Sequence, residues 1–561
     1  MATDDIAAVL DETADLIELT DGNPYRARAF QRAARALGAL NEAVSTRLEA
    51  GTLTAVDGIG DSMAEHVADI AASGTFALHD ELLNAIPPGL LDVLRVNGLG
   101  TKRTRRLWKE LGITSLDELE DAATSDRITA LDGFGDKTQQ NILENVRRLR
   151  AYESQWRYAE AWTAVAPLLD ALRTHPAVAR AEPTGPLRRS LETVEQVDLL
   201  VATDDPDAIQ SLLDDTLPSA VEIEDSSLQG TLTEGIPLRV HRTSPARFGT
   251  AWWETTGSDA HRSALTSATG APADHDDETA LFEAAGLAFI PPELREDRGE
   301  LSAAADGPLP TLITTDDLQG SLHNHSTYSD GADSLQDMAE AARTKGFTYF
   351  GICDHSQSLQ IASGLSPDEV QQQQEEIDRL NREYAKNEID FRIFSGIESD
   401  ILRDGSLDYE DAVCSTFDFV VASVHTGFSM TEAEATERVV RAVHNPNTRI
   451  LGHPTGRLLL SREGYPLDHE RVIDACAEAG VAIELNANPY RLDLDWRWVR
   501  HATDRGVLIS INPDAHATDE LDYVRWGVAV ARKGWLTAEQ CLNAKSRSAF
   551  SDWLSAPSSA A

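Results

Sequence analysis

Lysine is nearly missing from this 561-residue chain: seven residues among 49 Lys and Arg, against 93 Asp and Glu and a formal net charge of −44. So acidic a surface would ordinarily repel nucleic acid. Cysteine is scarce too. Cys353, Cys414, Cys476 and Cys541 are widely spaced and form no CxxC, which excludes a disulfide framework and a zinc knuckle and points to a reducing interior. Bulky aromatics are few, no apolar run approaches transmembrane length, and the first residues are acidic, so neither secretion nor membrane insertion is indicated. The expectation is a soluble, cytoplasmic, monomeric protein. Its length is enough for three or four domains.

What the chain does have is a dense set of potential metal ligands: His323, His325, Asp330, His355, Glu398, His425, His453, Asp514 and His516. Most stand at or just after the ends of apolar runs. The runs 349–353, 391–397, 417–424, 449–451, 481–485 and 507–511 read as buried strands alternating with helices, the pattern of an α/β barrel with parallel strands. Ligands at strand ends converge on the face where such barrels carry their chemistry. His323 and His325, two apart, share one side of a strand, and Asp514 and His516 repeat the pattern with a carboxylate. A mixed nitrogen and oxygen shell suits Zn, Mn or Fe, whereas Mg and Ca prefer nearly all oxygen. Nine ligands exceed one ion's needs. They suit two or three divalent ions sharing a carboxylate, an arrangement that activates water and clamps phosphoryl oxygens. His444, His469 and His501 lie in polar, helix-like stretches, read as solvent-facing and without a role.

The N-terminal half repeats one small design. Gly58-Ile59-Gly60, Gly98-Leu99-Gly100 and Gly133-Phe134-Gly135 are Gly-hydrophobic-Gly turns that each open a helix. Such turns let the backbone pass close to a phosphate, and the N–H groups at the helix start bind it without reading sequence. The second turn stands in a basic stretch: Arg95, Lys102, Arg103, Arg105, Arg106 and Lys109 occur with no acid between Asp92 and Glu110. Three such turns look like helix-hairpin-helix elements. The candidate DNA-binding residues are therefore Gly58, Gly60, Gly98, Gly100, Lys102, Arg103, Arg106, Gly133, Gly135 and Lys137.

The segments 322–331, 353–356, 396–401, 422–427, 452–457 and 512–516, with His323-Asn324-His325 and Gly452-His453-Pro454 at their heart, resemble the PHP phosphoesterase domain. They are most similar to the version at the C-terminus of bacterial and archaeal family X DNA polymerases. The resemblance implies a distorted β/α barrel with a trinuclear metal site: one ion on His323, His325, Glu398 and Asp514, a second on His425 and His453 with Glu398 bridging, and a third on Asp330, His355 and His516. Glu398, Asp514 and His325 would be the catalytic residues. Ser321 stands where a carboxylate often precedes the first histidine, which weakens an outer hydrogen bond but removes no ligand. Arg457, after the Gly-His-Pro-Thr-Gly run, is a candidate phosphate clamp. Segment 16–34 resembles the family's small N-terminal domain, which binds the 5′ side of a DNA gap, and 282–300 resembles the end of its thumb. The whole composition resembles that of proteins from salt-accumulating halophiles, in whose molar salt charge is screened within about 3 Å.

The palm departs from the family pattern. Its first motif, Gly-Ser-x-Arg-Arg-x-x-Glu-x-x-Gly-Asp-x-Asp, reads here from Gly185 and Pro186 through Arg189 and Glu192 to Gln196 and Asp198. Gln196 occupies the first metal-ligand position. An ungapped count from Gly235 places Arg239 at the third. Asp198 alone cannot hold two divalent cations, and a guanidinium beside it would repel Mg, so no Mg is expected there. Arg189 and Asp198 remain as residual palm residues.

These readings make a multidomain chain: residues 1–80 an α-helical DNA-binding domain with the first helix-hairpin-helix, 81–150 a fingers-like helix-hairpin-helix region, 151–245 an α+β palm, 246–305 a shortened thumb, 306–318 a linker and 319–556 the PHP barrel. The expected function is DNA repair by a metal-dependent 3′–5′ exonuclease or 3′-end phosphoesterase on gapped or nicked DNA, without sequence preference and with polymerase activity lost. The family's abasic-site endonuclease and 3′-phosphatase activities come with the resemblance. Alternatives are a working gap-filling polymerase and a non-catalytic DNA-binding scaffold.

Overall fold

The computed structural model describes residues 3–38, 44–56, 58–96, 98–218, 221–224 and 227–556. Two compact units divide at Ser154 and Gln155. Among the described residues no helix is long and apolar enough to cross a membrane.

The first unit is helical. Helices α1 (Thr3–Leu19) and α2 (Pro24–Gly38) pack against one apolar core that includes Leu10, Phe30 and Phe76. Helices α3 (Asp61–Ser73), α4 (Thr101–Leu111) and α5 (Asp136–Glu153) each begin directly after one of the Gly-hydrophobic-Gly turns. The middle residues Ile59, Leu99 and Phe134 are buried, which pins each turn to the core while its glycines face outward. A second core gathers Leu90, Leu107 and Ile142.

The second unit opens with helix α6 (Tyr158–Thr174) on a five-stranded sheet of β1 (Val178–Thr184), β2 (Val197–Thr203), β3 (Glu222–Glu224), β4 (Ser227–Thr231) and β5 (Pro237–Thr243), in the order β1-β2-β5-β4-β3. Only β2 and β5 run parallel. Strand β2 is apolar except for Asp198 and Thr203 and is buried along its whole length, so it forms the spine. Helices α7 (Phe248–Thr256), α8 (Asp259–Thr269) and α9 (Glu278–Ala284) follow.

The barrel is a parallel sheet in strict chain order: β6 (Gly320–Ser321), β7 (Tyr349–Ile352), β8 (Arg392–Asp400), β9 (Phe419–Ser423), β10 (Thr448–Leu451), β11 (Ala482–Asn486) and β12 (Ile509–Asn512). Helices α10 (Leu335–Thr344), α11 (Pro367–Lys386), α12 (Glu432–Val443), α13 (His469–Ala479), α14 (Trp496–Asp504) and α15 (Val524–Lys533) alternate with the strands or follow them. Each of the six apolar runs contains a strand. Strand β8 runs beyond its apolar run, because Ser399 and Asp400 pair with Ala422 and Ser423 of β9, and Glu398 therefore lies within a strand. The two ends of the sheet meet just beyond β6 and β12, where Asn324 bridges Ala515 in parallel register and His325 N–H donates to the Ala515 carbonyl at 2.8 Å. Barrel closure thus coincides with the ligand pairs 323/325 and 514/516.

One apolar core runs continuously from the first sheet into the barrel, with Tyr158 meeting Trp526 edge-on at 5.5 Å. Polar ties reinforce it. Lys533, fully buried on α15, donates to the Arg189 carbonyl at 3.1 Å and pairs with Glu296, and burial pulls its pKa down to about 8. The stretch 306–318 is not a free linker: Leu312 and Ile313 are buried, and Ile313 N–H donates to the Leu536 carbonyl at 2.9 Å. His469 stacks on Trp498 at 4.7 Å and His501 meets the edge of the same ring, so of the three histidines read as solvent-facing only His444 is exposed.

Glu278 lies buried between Arg188 and Arg295, with both carboxylate oxygens bonded to each guanidinium at 2.5–3.1 Å. Burial opposes its charge, but the two arginines win and hold its pKa down at about 2; burial lowers Arg188 only to about 10, so Glu278 and Arg188 are both charged at neutral pH. Glu278→Gln strands two buried cations and should lower unfolding stability by about 3–5 kcal/mol, read by urea or thermal unfolding. Acid removes the same interaction. Because the folded-state pKa is depressed, this contribution is complete above the ordinary value of 4.5 and is lost as pH falls from 4.5 through about 2.

Candidate metal centre

Seven of the nine candidate ligands line one cavity, His323 and His325 join them through contacts with Glu398 and Asp514, and Glu398 is the hub. Its Oε1 lies 2.9 Å from His453 Nε2, 3.1 Å from His425 Nε2 and 3.2 Å from His323 Nε2, while its Oε2 lies 2.8 Å from His355 Nδ1. Asp514 Oδ1 sits 3.1 Å from His325 Nε2 and 3.6 Å from His323 Nε2. Asp330 is 3.4 Å from both His355 Nε2 and His516 Nε2. His323 and Asp514 both adopt left-handed backbone conformations, φ 57° and 53°, which turn their side chains inward at the point of closure.

The donor set fits divalent cations. His323 Nε2, His325 Nδ1, His355 Nδ1 and both oxygens of Glu398 are buried with no hydrogen-bond partner, a state that is costly unless a cation completes it. Three groups bring one ligand atom from each member within 4.8 Å of the others: His323, His325 and Asp514; His355, Glu398 and His425; and His325, Asp330, His355 and His516. The grouping differs from the expected one, with His325 and His355 each reaching two groups. His453 joins through Glu398 alone. Asp330 and His516 are a third exposed and the rest are nearly buried, so the site opens to solvent on that side.

Charge on the ligands is tightly balanced. Burial opposes ionising Glu398 and Asp514, yet the surrounding histidines hold both well below the usual carboxylate range. Burial likewise opposes charging His355 and His516, and the carboxylates override it, raising them to about 10 and about 9. His325 is the exception. Burial and its neighbours His516 and His355 push it down to about 3, which keeps it neutral and ready to ligate.

An outer ring of carboxylates, not foreseen from the sequence, orients the histidines. Glu484 on β11 accepts from His323 Nδ1 at 2.6 Å and from the His453 backbone N–H at 2.6 Å. Asp400 on β8 sits 2.5 Å from His425 Nδ1. Each fixes the tautomer that leaves Nε2 for a metal. Asp354 accepts from Ser326, Ser329 and Gln373 and so ties the first and second ligand loops together. Ser321 turns to Asn324 at 3.1 Å, and Glu484 serves His323 in place of the preceding carboxylate. A lone acid inside the apolar run 481–485 was the available signal.

The cavity over this centre measures 340 Å³ and adds Arg462, Arg491 and an apolar wall that includes Ile361, Phe428 and Leu458. Arg491 Nε is 3.5 Å from Asp514 Oδ2. Arg457 does not take the phosphate-clamp role expected of it. Its guanidinium donates to the carbonyls of Arg491 and Leu492 and pairs with Asp495 and Glu192, which leaves Arg491 and Arg462 as the arginines facing the site.

A second cavity, of 490 Å³, marks the palm. Asp198 is paired in parallel register with Arg239. Its Oδ1 accepts from the Gln196 amide at 2.9 Å and lies 3.3 Å from His241 Nε2. Two other acids line the cavity, but Glu254 is held by Arg247 and Asp259 by Arg262. Arg189 is committed to Glu296 and the Thr256 carbonyl. Among the described residues, all three candidate ion groups lie in the barrel.

In the helical unit Gly58, Gly98 and Gly133 take φ of 89°, 87° and 82°, and Gly60, Gly100 and Gly135 are extended N-caps with no side-chain cap. The amides there are open to an anion. Lys102, Arg103 and Lys137 are exposed. Arg106 is engaged, bonding Glu110 and the Asp132 carbonyl under the third turn, so it braces that turn and is a poor phosphate contact. Helix α2 supplies a second basic face. Arg26, Arg28, Arg32 and Arg35 are exposed without an ion pair among the described residues, a signal present in the acid-free run after Asp21.

Two outcomes are expected. Glu484→Gln should weaken metal retention about 10–100-fold, read by metal content after dialysis. Gly100→Val should reduce affinity for a gapped duplex in molar KCl more than Arg103→Ala, by fluorescence anisotropy, since salt removes the ionic share of binding. The cause is blockage alone. At φ −77°, with open space around its missing side chain, Gly100 accepts valine without strain.

Comparison with known proteins agrees with this geometry. Residues 1–76 match a helix-hairpin-helix domain, 90–148 a SAM-like helix-hairpin-helix tandem and 321–488 the PHP domain. A probable phosphatase of Syntrophotalea carbinolica is 30% identical over 181 residues, covering 30% of this chain and 65% of its own. Another, from Vibrio atlanticus, is 28% identical over 212 residues, or 36% of this chain and 79% of its own. The DNA polymerase/3′-5′ exonuclease PolX of Bacillus subtilis is 33% identical over 563 residues, 97% of either chain. Helix-hairpin-helix elements, a PHP barrel with its ligand shell and end-to-end similarity therefore place the chain in the PolX family.

Proposed function

We propose that this chain is a DNA-repair nuclease, a metal-dependent 3′–5′ exonuclease and 3′-end phosphoesterase on gapped or nicked DNA, and that its palm no longer polymerises. The observation that carries this reading is the contrast between the two cavities. In the barrel, unpartnered ligand atoms converge on nucleotide-sized space; in the palm, the remaining carboxylate is capped by Gln196 and flanked by Arg239. Bound divalent ions, Mn or Zn by the ligand chemistry, would activate water and neutralise phosphoryl oxygens. The chain's own residues do the rest. Arg491 and Arg462 hold the phosphate at the mouth, Glu484 and Asp400 keep the imidazoles in place, and the apolar wall receives the terminal nucleoside. The helix-hairpin-helix turns hold duplex backbone without reading sequence.

A working gap-filling polymerase is the second reading, favoured by the retained palm cavity and the name of the Bacillus subtilis relative. A labelled primed gap incubated with Mn and deoxynucleotides separates the two: the primer is expected to shorten, and growth that Asp198→Ala abolishes would overturn the first reading. His325→Ala and Glu398→Ala should each lower nuclease turnover by more than about 100-fold with DNA affinity nearly unchanged, and Glu398→Ala should be the more severe because its carboxylate serves several imidazoles at once.

A further inference from the structure

We propose that the metal centre has a second nucleotide subsite, beyond Phe428, which takes the strand upstream of the scissile phosphate. This rests on the nuclease reading above and extends it to the length of substrate the site selects.

Two cavities meet at Phe428. The 340 Å³ space over the metal ligands has it as a wall, and so does a neighbouring cavity of 500 Å³ lined by Arg403, Met430, Glu434 and Arg438. The ring is half-buried and held from two sides. Tyr465 stacks against it at 6.1 Å, and the Arg462 guanidinium lies 4.2 Å from its centroid, itself anchored by two bonds to the Gly456 carbonyl. A ring held in this way is a rigid partition between two nucleotide-sized spaces and separates the nucleotide over the metal ligands from the next.

The charge in the outer cavity suits a phosphate. Arg438 is occupied, donating to the carbonyls of Ile401, Leu402 and Thr426, so it shapes the wall. Glu434 is bound by the Thr431 backbone and hydroxyl as a helix cap. Asp404 turns its carboxylate to Ser406. Arg403 remains: exposed, without an ion pair among the described residues, on the rim of a cavity in a chain of net charge −44. A phosphate monoester reaches only the metal cavity. A DNA strand whose terminal nucleotide lies over the metals would carry its next phosphate toward Arg403.

The test compares two substrates with Mn: an oligothymidylate, and the p-nitrophenyl ester of thymidine 5′-phosphate, which has a terminal nucleotide but no upstream phosphate. Arg403→Ala should lower the oligonucleotide-to-ester ratio of kcat/KM about tenfold, through KM for the oligonucleotide, with turnover of the ester unchanged. Arg403→Lys, which keeps the charge, should retain most of the ratio. An unchanged ratio in Arg403→Ala, or a parallel loss on both substrates, overturns the subsite. A parent protein that turns over the ester and leaves oligonucleotides intact overturns the nuclease reading itself.

Discussion

Everything in the barrel depends on neutralising one buried carboxylate. Glu398 is 1% exposed, has no hydrogen bond to either oxygen, and is surrounded by His323, His355, His425 and His453 within 3.2 Å. An isolated ion in that position would be untenable. Imidazolium protons stabilise it when metal is absent and cations take over when metal is present, so the ring of histidines is a structural necessity before it is a catalytic one. The outer acids Glu484 and Asp400 serve the same requirement, since His323 and His425 point Nε2 inward and each finds an acceptor for Nδ1.

The palm keeps one part of the family's motif and departs from another. Arg188, Arg189 and Glu192 agree with the family's first palm motif, and each has a buried structural partner: Arg188 with Glu278, Arg189 with Glu296, and Glu192 with Arg457 and the Trp496 indole. Pro186 and Gln196 depart from it, Arg239 stands at the third ligand position, and all three face the cavity. Glu192 ties the first sheet to the segment that carries Arg491, beside the metal ligands. That contact gives the palm a bracing role independent of any polymerisation.

Much of this was legible in the sequence because strand periodicity and ligand chemistry speak together. Six apolar runs located six strands, and the nine candidate ligands form one cluster, seven of them lining its cavity. What stayed hidden was pairing that depends on three-dimensional neighbours. Glu484 reads as an odd acid in a strand until His323 arrives from 161 residues away. Arg457 and Arg106 look free on paper, but nearby carbonyls and acids occupy their guanidiniums. The two-residue strand Gly320–Ser321 is too short for any alternation to reveal. At the second Gly-hydrophobic-Gly turn only the backbone angles show that Gly98, and not Gly100, needs the freedom of glycine.

Closure of the barrel by a single bridge between Asn324 and Ala515 has a kinetic side. Two members of the first ligand group, His323 and His325, come from the opening of the domain and the third, Asp514, from its end, so the group cannot exist in any partly built barrel. Pairings this distant in sequence form late, after the loop entropy of the intervening strands has been overcome. A nascent or incompletely folded chain therefore carries its DNA-binding helices well before it carries a nuclease. Hydrolytic power arrives last, and only in molecules whose barrel has closed.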